Sequence, residues 1–332
     1  MRVKGLYQTS EGGGYYRVRL PIEELGRHDG FVTSCERATV YVKPDDADVI
    51  VAHMAGSAND PSGAVRIHQW WRTLRKSCRR VYELDDDPFE LEGHNPAFAD
   101  FNAETSRDSL EFCIRTADLV TASVEPLAEK MRRYNRNVVV CKNRIDESML
   151  AMERPKRDKL VIGWAGGPSH SKDMLLASYG LRRVLDWYPK TVEGHFVGAD
   201  LRRPVRRDGR VRFSKWAQKT VDYYRLIDFD IGVAPLRPGV FTDAKSAIKA
   251  LEYGALGIPV VASAVTPYND YVIDGVTGFL VRTEREWAQR LRDLIEDEAM
   301  RGEMGRKAKE VAAQHTIQNG WTDWADAYAS IL

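Results

Sequence analysis

Two charged residues in the C-terminal half, Lys245 and Glu252, have the spacing of a ligand-binding pair. They stand seven residues apart in a segment whose apolar residues repeat at helical spacing. Nearly two helical turns would place both side chains on one face, about 10 Å apart along the axis. A carboxylate can accept hydrogen bonds from both ribose hydroxyls, and a lysine at a helix N-terminus can bind a phosphate. The pair therefore predicts a nucleotide site; the alternative is a solvated face on which Lys249 pairs with Glu252.

The residues around this pair predict a helix, a turn and a buried strand. Ser246 stands where it can cap the helix. Gly257 occupies the position at which a left-handed residue ends a helix, and Pro259 prevents the helix from resuming. The apolar run at 260–262 is typical of a strand in a parallel sheet. Strand and helix patterns alternate along the rest of the chain, which predicts an α/β fold with parallel, doubly wound sheets.

Glycines follow two predicted strands, and each group lets a ligand approach the backbone closely. Gly166 and Gly167 follow a strand that begins at residue 160, and the helix after them presents free amides to an anion. Lys172 can add a charge-assisted hydrogen bond to a phosphate, or it can be an ordinary surface lysine. Gly13 and Gly14 follow the first strand, at 3–8, where the alternative is a plain tight turn.

Two further groups of polar residues come directly after predicted strands in the N-terminal half. His53 ends the strand at 48–52, at the edge where ligands gather in open α/β sheets, although an ordinary loop histidine is the alternative. A later strand runs into Asp85, Asp86 and Asp87. These aspartates can form a metal-binding Asp-x-Asp motif, can orient or deprotonate an acceptor hydroxyl, or can form a solvated acidic turn.

Composition limits the class of protein. The 332 residues are enough for two domains, and 43% hydrophobic with 29% charged residues is typical of a globular protein. A net charge of +1 excludes a globally basic nucleic-acid-binding protein but not a local basic patch. The four cysteines form no CxxC pair, which disfavours zinc and predicts reduced thiols. Since no signal peptide or membrane-spanning apolar run is apparent, we predict a cytoplasmic protein.

The segments LEYGALGIPVVAS and DYVIDGVTGFLV resemble a known family. They are similar to the donor-binding half of GT-B glycosyltransferases, especially the large retaining family called family four, or glycosyl transferases group 1. The resemblance is close from about residue 160 to residue 281 and weak before that. It implies two Rossmann-like domains whose parallel sheets face each other across a cleft. It also implies transfer of a sugar from a UDP- or GDP-linked donor to an acceptor hydroxyl, with retention and without a metal.

The resemblance assigns roles to the residues singled out above. Glu252 would bind the donor ribose, Lys172 and Lys245 would neutralise the diphosphate, and His53 would lie near the donor sugar. The predicted nucleotide-binding residues are Gly13, Gly14, Gly166, Gly167, Ser246, Glu252 and Asp270, and the predicted catalytic residues are Lys172, Lys245, His53 and Asp243. Because GT-B enzymes bind the diphosphate with helix termini and basic side chains, we predict no metal site and no cofactor beyond the donor substrate.

The chain departs from the family at one position. Commoner members carry a second glutamate eight positions before the ribose-binding one, and Ala244 stands there in this sequence. Asp243 can substitute from the neighbouring position. The departure leaves the choice between retention and inversion open. It also keeps two alternatives, a non-catalytic nucleotide-sugar-binding module and a GT-B epimerase or phosphorylase.

Domain boundaries and partners complete the predictions. A polar, proline-containing segment at 149–159 predicts an N-terminal domain at 1–153 and a donor domain at 154–315. A helix predicted at 316–332 follows, which in GT-B enzymes crosses back to the first domain.

Six arginines from Arg202 to Arg212 predict either a solvated loop or contact with a polyanion. The acceptor is left open: an anionic molecule such as a phosphorylated glycan or a modified DNA base, or a protein. The sequence predicts no oligomeric state.

Overall fold

The computed structural model describes residues 1–7, 9, 11–37, 47–54, 61–74, 78–205 and 208–332. The chain divides into two compact units. Unit 1 consists of Met1–Arg144, Asp243–Ser246 and Ile317–Leu332, and unit 2 consists of Ile145–Thr242 and Ala247–Thr316.

Strands and helices alternate through the described residues. The strands are β1 Arg2–Tyr7, β2 Val32–Arg37, β3 Val49–His53, β4 Arg79–Leu84, β5 Leu119–Ala122, β6 Val138–Val140, β7 Leu160–Gly166, β8 Val192–Gly198, β9 Val211–Lys215, β10 Ile231–Ala234, β11 Val260–Ser263 and β12 Gly278–Val281. The α-helices are α1 Leu20–Leu25, α2 Pro61–Leu74, α3 Phe98–Asn102, α4 Glu104–Thr116, α5 Glu125–Met131, α6 Met174–Trp187, α7 Thr220–Leu226, α8 Val240–Asp243, α9 Ile248–Ala255, α10 Glu284–Glu296, α11 Glu298–Ala313, α12 Ile317–Gly320 and α13 Thr322–Ala329.

Unit 1 is built on a parallel sheet with strand order β2-β1-β3-β4-β5-β6. Strands β3 and β5 are buried along their whole length, as expected for parallel strands covered on both faces. Because all neighbouring strands are parallel, their C-terminal ends meet at one edge, which we call the carboxyl edge. Loops at that edge are the usual place for a ligand.

Unit 2 repeats this architecture with strand order β12-β11-β10-β7-β8-β9. Its local signals were readable in the sequence. Gly257 has a left-handed φ of +67° just after α9, which confirms its predicted role as the helix terminator. Thr283 and Glu286 form a capping box at the start of α10, as the sequence Thr-Glu-Arg-Glu at 283–286 predicts.

The predicted α/β fold with two parallel sheets is confirmed, and three details differ from the predictions. Residues 145–153 belong to unit 2, so the predicted boundary after residue 153 is too late. Ile145 forms a β-bridge with Thr316, and Met149 is buried in a short 3₁₀ helix, so residues 145–149 are packed, whereas residues 155–159 of the predicted linker are exposed. A strand-like sequence pattern at 39–42 lies outside the described residues, and no strand was predicted at β2. The described helices include none with the length and apolar character to cross a membrane.

Candidate functional site

The helix predicted to carry both Lys245 and Glu252 is shorter than expected. Helix α9 begins at Ile248, and its N-cap residue is Ala247, without a side-chain cap. Ser246 therefore does not cap the helix, and Lys245 shares no helix face with Glu252. That prediction is wrong, and the two residues belong to different units.

Contacts within unit 1 explain why the helix begins late. Lys245 Nζ donates to both carboxylate oxygens of Asp86, at 2.9 and 2.8 Å. Ser246 Oγ accepts a hydrogen bond from Asn143 Nδ2 at 2.7 Å. These bonds hold the two residues in an irregular segment, so they cannot form the first turn of α9. The intrinsic helical pattern of the sequence loses to these tertiary contacts.

Lys249, which the sequence analysis considered only as a surface partner of Glu252, is the lysine that unit 2 supports with buried groups. Its Nζ lies 2.9 Å from His170 Nε2, and His170 Nδ1 lies 2.9 Å from Asp173 Oδ2. Since an ammonium group can only donate, Nε2 accepts and Nδ1 carries the proton that is donated to Asp173. Burial favours a higher pKa for Asp173, but the hydrogen bond from His170 lowers the pKa below its ordinary value. We call these three side chains the Lys249 relay.

The Lys249 relay lies beside Gly166, the last residue of β7, and the glycine after it, Gly167. A Cβ atom on Gly166 would lie 3.0 Å from Lys249 Cε and 3.3 Å from its Nζ, so only a glycine leaves ordinary space there. A Cβ atom on Gly167 would meet no atom within 4 Å. The structure therefore brings an open backbone loop and a supported cation together at the carboxyl edge of unit 2. Lys172 is exposed on the following loop, and its phosphate-binding role stays a prediction.

Glu252 lies one turn after Lys249 on α9 and is 3% exposed. The Tyr223 hydroxyl donates to its Oε2 at 3.3 Å. Burial and the neighbouring Glu252 carboxylate raise the pKa of the Tyr223 phenol, so this hydroxyl stays protonated and donates. All α9 residues from Ala250 to Ala255 are buried, which the predicted amphipathic face did not anticipate. The ribose-binding role of Glu252 remains a prediction.

Unit 1 places three residues from separate segments together at its carboxyl edge. His53 Nε2 lies 3.2 Å from Asp85 Oδ1, and His53 is 6% exposed. A Cβ atom on Gly13 would lie 2.2 Å from Asp85 Oδ2 and 3.1 Å from His53 Cε1. Gly14 is equally restricted, because a Cβ there would lie 1.8 Å from the Thr9 carbonyl oxygen. Gly13 and His53, predicted independently, are therefore neighbours.

The three consecutive aspartates each bind a different basic side chain: Asp85 pairs with His53, Asp86 with Lys245, and Asp87 with Lys130 at 2.9 Å. Burial would raise the pKa of Asp85, but His53, Arg17 and Lys245 lower it to about 2. Within the residues that the structure describes, no three His, Cys, Asp or Glu side chains converge as a metal site requires.

The remaining predicted residues are less informative. Asp243 is exposed at the end of α8, next to Ala244, which is buried in the core of unit 1. Asp270 is exposed in the turn after β11. The roles predicted for both residues stay predictions.

A serine, a histidine and an aspartate on unit 2 form a line that the sequence analysis did not find. His195 Nδ1 lies 2.6 Å from Asp228 Oδ1, and its Nε2 lies 2.8 Å from Ser214 Oγ. Asp228 also pairs with Arg157 and Arg212. Burial and these two arginines lower the pKa of His195 to about 3, so the ring cannot take a proton from Ser214 near neutral pH. We interpret the line as a structural network.

Most of the described arginines of the 202–212 loop have local partners. Arg202 pairs with Asp200 at 2.8 Å and Arg210 with Asp208 at 3.1 Å. Arg212 pairs with Glu193 at 3.0 Å. Arg206 and Arg207 lie outside the described residues. These pairs fit the alternative of a solvated loop, and a polyanion contact has no support from them.

Comparison with protein families confirms the resemblance in the C-terminal part. Residues 160–297 match the family described as Glycosyl transferases group 1. A D-inositol 3-phosphate glycosyltransferase of Streptomyces avermitilis is 39% identical over 187 residues, 55% of this chain and 34% of that protein. One from an Arthrobacter species is 43% identical over 74 residues, 22% of this chain and 17% of that protein. The matches thus span about a third or less of those relatives.

Solved structures resemble the whole chain. HepE of Anabaena in complex with UDP-glucose has a TM-score of 0.69 at 17% identity and covers 99% of this chain and 100% of its own. Sucrose-phosphate synthase of Thermosynechococcus elongatus has a TM-score of 0.67 at 13% identity and covers 99% of both chains. At these identities the likeness establishes the GT-B fold class alone.

Proposed function

We propose that this chain, with its group 1 glycosyltransferase segment at 160–297, transfers a sugar from a nucleotide-diphosphate donor to an acceptor hydroxyl. The observation that carries the proposal is the position of Lys249. Its ammonium group is held by His170 beside Gly166, one helical turn before Glu252. A cation, an open glycine loop and a carboxylate in this order match a diphosphate followed by a ribose.

The donor chemistry follows from these groups. Negative charge grows on the diphosphate as the bond to the sugar breaks, and a preorganised cation stabilises that charge. Lys249 supplies the cation, and backbone amides around Gly167 donate hydrogen bonds to the phosphate oxygens. Glu252 accepts hydrogen bonds from the ribose hydroxyls. Because a lysine and backbone amides neutralise the leaving group, we propose that transfer proceeds without a metal.

Unit 1 has the groups that suit an acceptor. The carboxylate of Asp85, ionised well below neutral pH, lies against Gly13 and would repel a phosphate but accept a hydrogen bond from a hydroxyl. We therefore propose that Gly13, His53 and Asp85 contact a hydroxyl-bearing substrate, in place of the donor phosphates that the sequence analysis assigned to Gly13 and Gly14. We propose that the transfer retains the anomeric configuration of the donor sugar. We also propose that the protein is located in the cytoplasm.

The comparisons suggest the first substrates to test. Similar folds include HepE bound to UDP-glucose, which favours UDP over GDP as the nucleotide. The relatives in sequence are named for D-inositol 3-phosphate, an anionic polyol, which favours an anionic acceptor. We propose a UDP-sugar donor and a phosphorylated polyol or glycan as acceptor, whose hydroxyl and not its phosphate contacts Asp85.

The test is release of nucleotide from UDP-glucose, UDP-N-acetylglucosamine and GDP-mannose in the presence of a chelator, with and without D-inositol 3-phosphate. We expect acceptor-dependent release from one UDP-sugar, and NMR of the product should show the anomeric configuration of the donor. If nucleotide release occurred only when manganese replaced the chelator, and if Asp85→Ala abolished that release, the Asp-x-Asp interpretation would be revived. Binding of a donor without turnover by any acceptor would favour the non-catalytic module, which the buried Ala244 also favours.

A further inference from the structure

We infer that Trp216 and Tyr223 form a stacking platform for the nucleobase of the donor, and that Tyr223 couples this platform to Glu252. The inference rests on the proposed function, because it gives the nucleoside end of the same donor a site on unit 2. Trp216 and Tyr223 were not among the residues that the sequence analysis selected.

The two rings form a stacked pair at the surface of unit 2. Their centroids lie 4.5 Å apart and their planes differ by 15°. Tyr223 is 4% exposed, whereas Trp216 is 37% exposed. A buried tyrosine thus supports an indole that is partly exposed. Stacking on an aromatic side chain is a common way to bind a base, because every base has a π-face.

The platform lies at the carboxyl edge, where the predicted phosphate site also lies. Gly166, Gly198 and Lys215 end β7, β8 and β9 and are register partners across the three strands. Trp216 follows Lys215 directly. A Cβ atom on Gly198 would lie 2.6 Å from Trp216 Cε3 and 2.4 Å from the Gly166 carbonyl oxygen. Gly198, with a φ of +96°, therefore lets the indole lie over the end of β8.

The spacing along this edge suits a nucleotide. Neighbouring strands lie about 4.8 Å apart, so the end of β9 is about 10 Å from the end of β7. The Lys249 relay marks the β7 end and Trp216 marks the β9 end. A diphosphate at the first position and a base at the second leave the ribose between them. Tyr223, beneath Trp216, donates its hydroxyl to Glu252, the residue proposed to hold that ribose.

The first experiment measures UDP binding by calorimetry, in chelator, to the full chain and three variants. Trp216→Ala should weaken binding about five- to a hundredfold, the range found for loss of a stacked base, and Trp216→Phe should weaken it less. Trp187→Ala is the matched control, because Trp187 is 41% exposed at the end of α6 and has no part in the site. It should bind UDP like the unchanged protein. Melting temperatures identify any variant that is not folded.

The second experiment tests the coupling through Tyr223. Tyr223→Phe keeps the stacked ring but removes the hydrogen bond to Glu252. The variant should bind UDP more weakly, because the ribose hydroxyls need an oriented carboxylate. Its affinity for 2′,3′-dideoxy-UDP should be unchanged. If Tyr223 had only a structural role, the variant would lose affinity for both ligands equally, and that result would overturn the coupling.

The outcomes separate this inference from the proposed function. If the unchanged protein binds UDP and Trp216→Ala binds it equally well, the platform is wrong and the proposed donor site stands. If the unchanged protein binds neither UDP nor GDP, the proposed function fails and the platform fails with it. The platform is supported if Trp216→Ala binds UDP more weakly, Trp216→Phe shows a smaller loss of affinity, and Trp187→Ala binds UDP like the unchanged protein.

Discussion

Each unit places a glycine at the carboxyl edge of its sheet, but the two glycines face side chains of opposite charge. Each sheet has a strand followed by a glycine loop at its carboxyl edge. In unit 1, a Cβ atom on Gly13 would meet a carboxylate oxygen of Asp85 at 2.2 Å. In unit 2, a Cβ atom on Gly166 would approach Lys249 Nζ at 3.3 Å. A glycine loop permits close approach in both units, and the facing side chain decides which ligand can approach.

The supporting contacts strengthen this difference. In unit 1, each of the three consecutive aspartates pairs with a basic side chain, and Lys245 is one of those partners. In unit 2, Lys249 contacts a histidine nitrogen, and the only carboxylate in the relay lies on the far side of that ring. Lys245 is bound to both oxygens of a carboxylate, whereas the Lys249 ammonium contacts an imidazole nitrogen beside Gly166. We therefore propose Lys249 as the lysine that holds the diphosphate.

The largest effect should come from removing the cation of unit 2. We expect Lys249→Ala to lower kcat by up to about a hundredfold, because a charge-assisted hydrogen bond to the leaving group contributes about 1.5–3 kcal/mol. Steady-state kinetics with a UDP-sugar measure this. Lys307→Ala, on α11, is the control and should have the kinetics of the unchanged protein. A larger loss in Lys172→Ala than in Lys249→Ala would return the diphosphate to the exposed lysine of the original prediction.

The acid stability of the protein should distinguish the site of unit 2 from the structural network on the same sheet. An unfolded histidine binds a proton near pH 6.5, whereas folded His195 does so only near pH 3. Protonation therefore favours the unfolded chain, and the free energy of unfolding should fall by about 2 kcal/mol from pH 7 to pH 5 through His195 alone. Urea denaturation of the protein and of His195→Gln measures the difference. Equal slopes against pH in both proteins would show that His195 is not the cause.

A smaller effect should follow from neutralising the proposed ribose ligand. Glu252→Gln keeps a group that can accept from Tyr223 but loses the charge that strengthens bonds to ribose hydroxyls. Donor KM should rise about tenfold with little change in kcat, because the interaction is made in both the ground state and the transition state. Glu310→Gln on α11 is the control. A fall in kcat with unchanged KM would contradict ribose binding.

The fold could be predicted from the sequence further than the site could. Alternating strand and helix patterns, the terminator Gly257 and the capping box at Thr283 are local signals, and local chemistry is what a sequence shows directly. The start of α9 depends on Lys245 and Asp86, which are 159 positions apart along the chain. No local pattern reveals such a pair.

The same reason explains why Lys249 and Tyr223 were not selected. Lys249 gains its importance from His170, and Tyr223 from Glu252, and each partner comes from another segment of unit 2. Lys245 matched the family motif and Lys249 did not, so the resemblance directed attention to Lys245. The glycines were found because a motif of residue types is visible in sequence, but the charge facing each glycine is not.

One measurement tests the central claim that the diphosphate binds at the carboxyl edge of unit 2 and not at that of unit 1. It is calorimetric titration of UDP, in chelator, into the unchanged protein, Lys249→Met and Asp85→Asn. We expect UDP to bind the unchanged protein, to bind Lys249→Met at least about tenfold more weakly, and to bind Asp85→Asn within about twofold of the original affinity. Unchanged affinity in Lys249→Met together with a large change in Asp85→Asn would contradict the account.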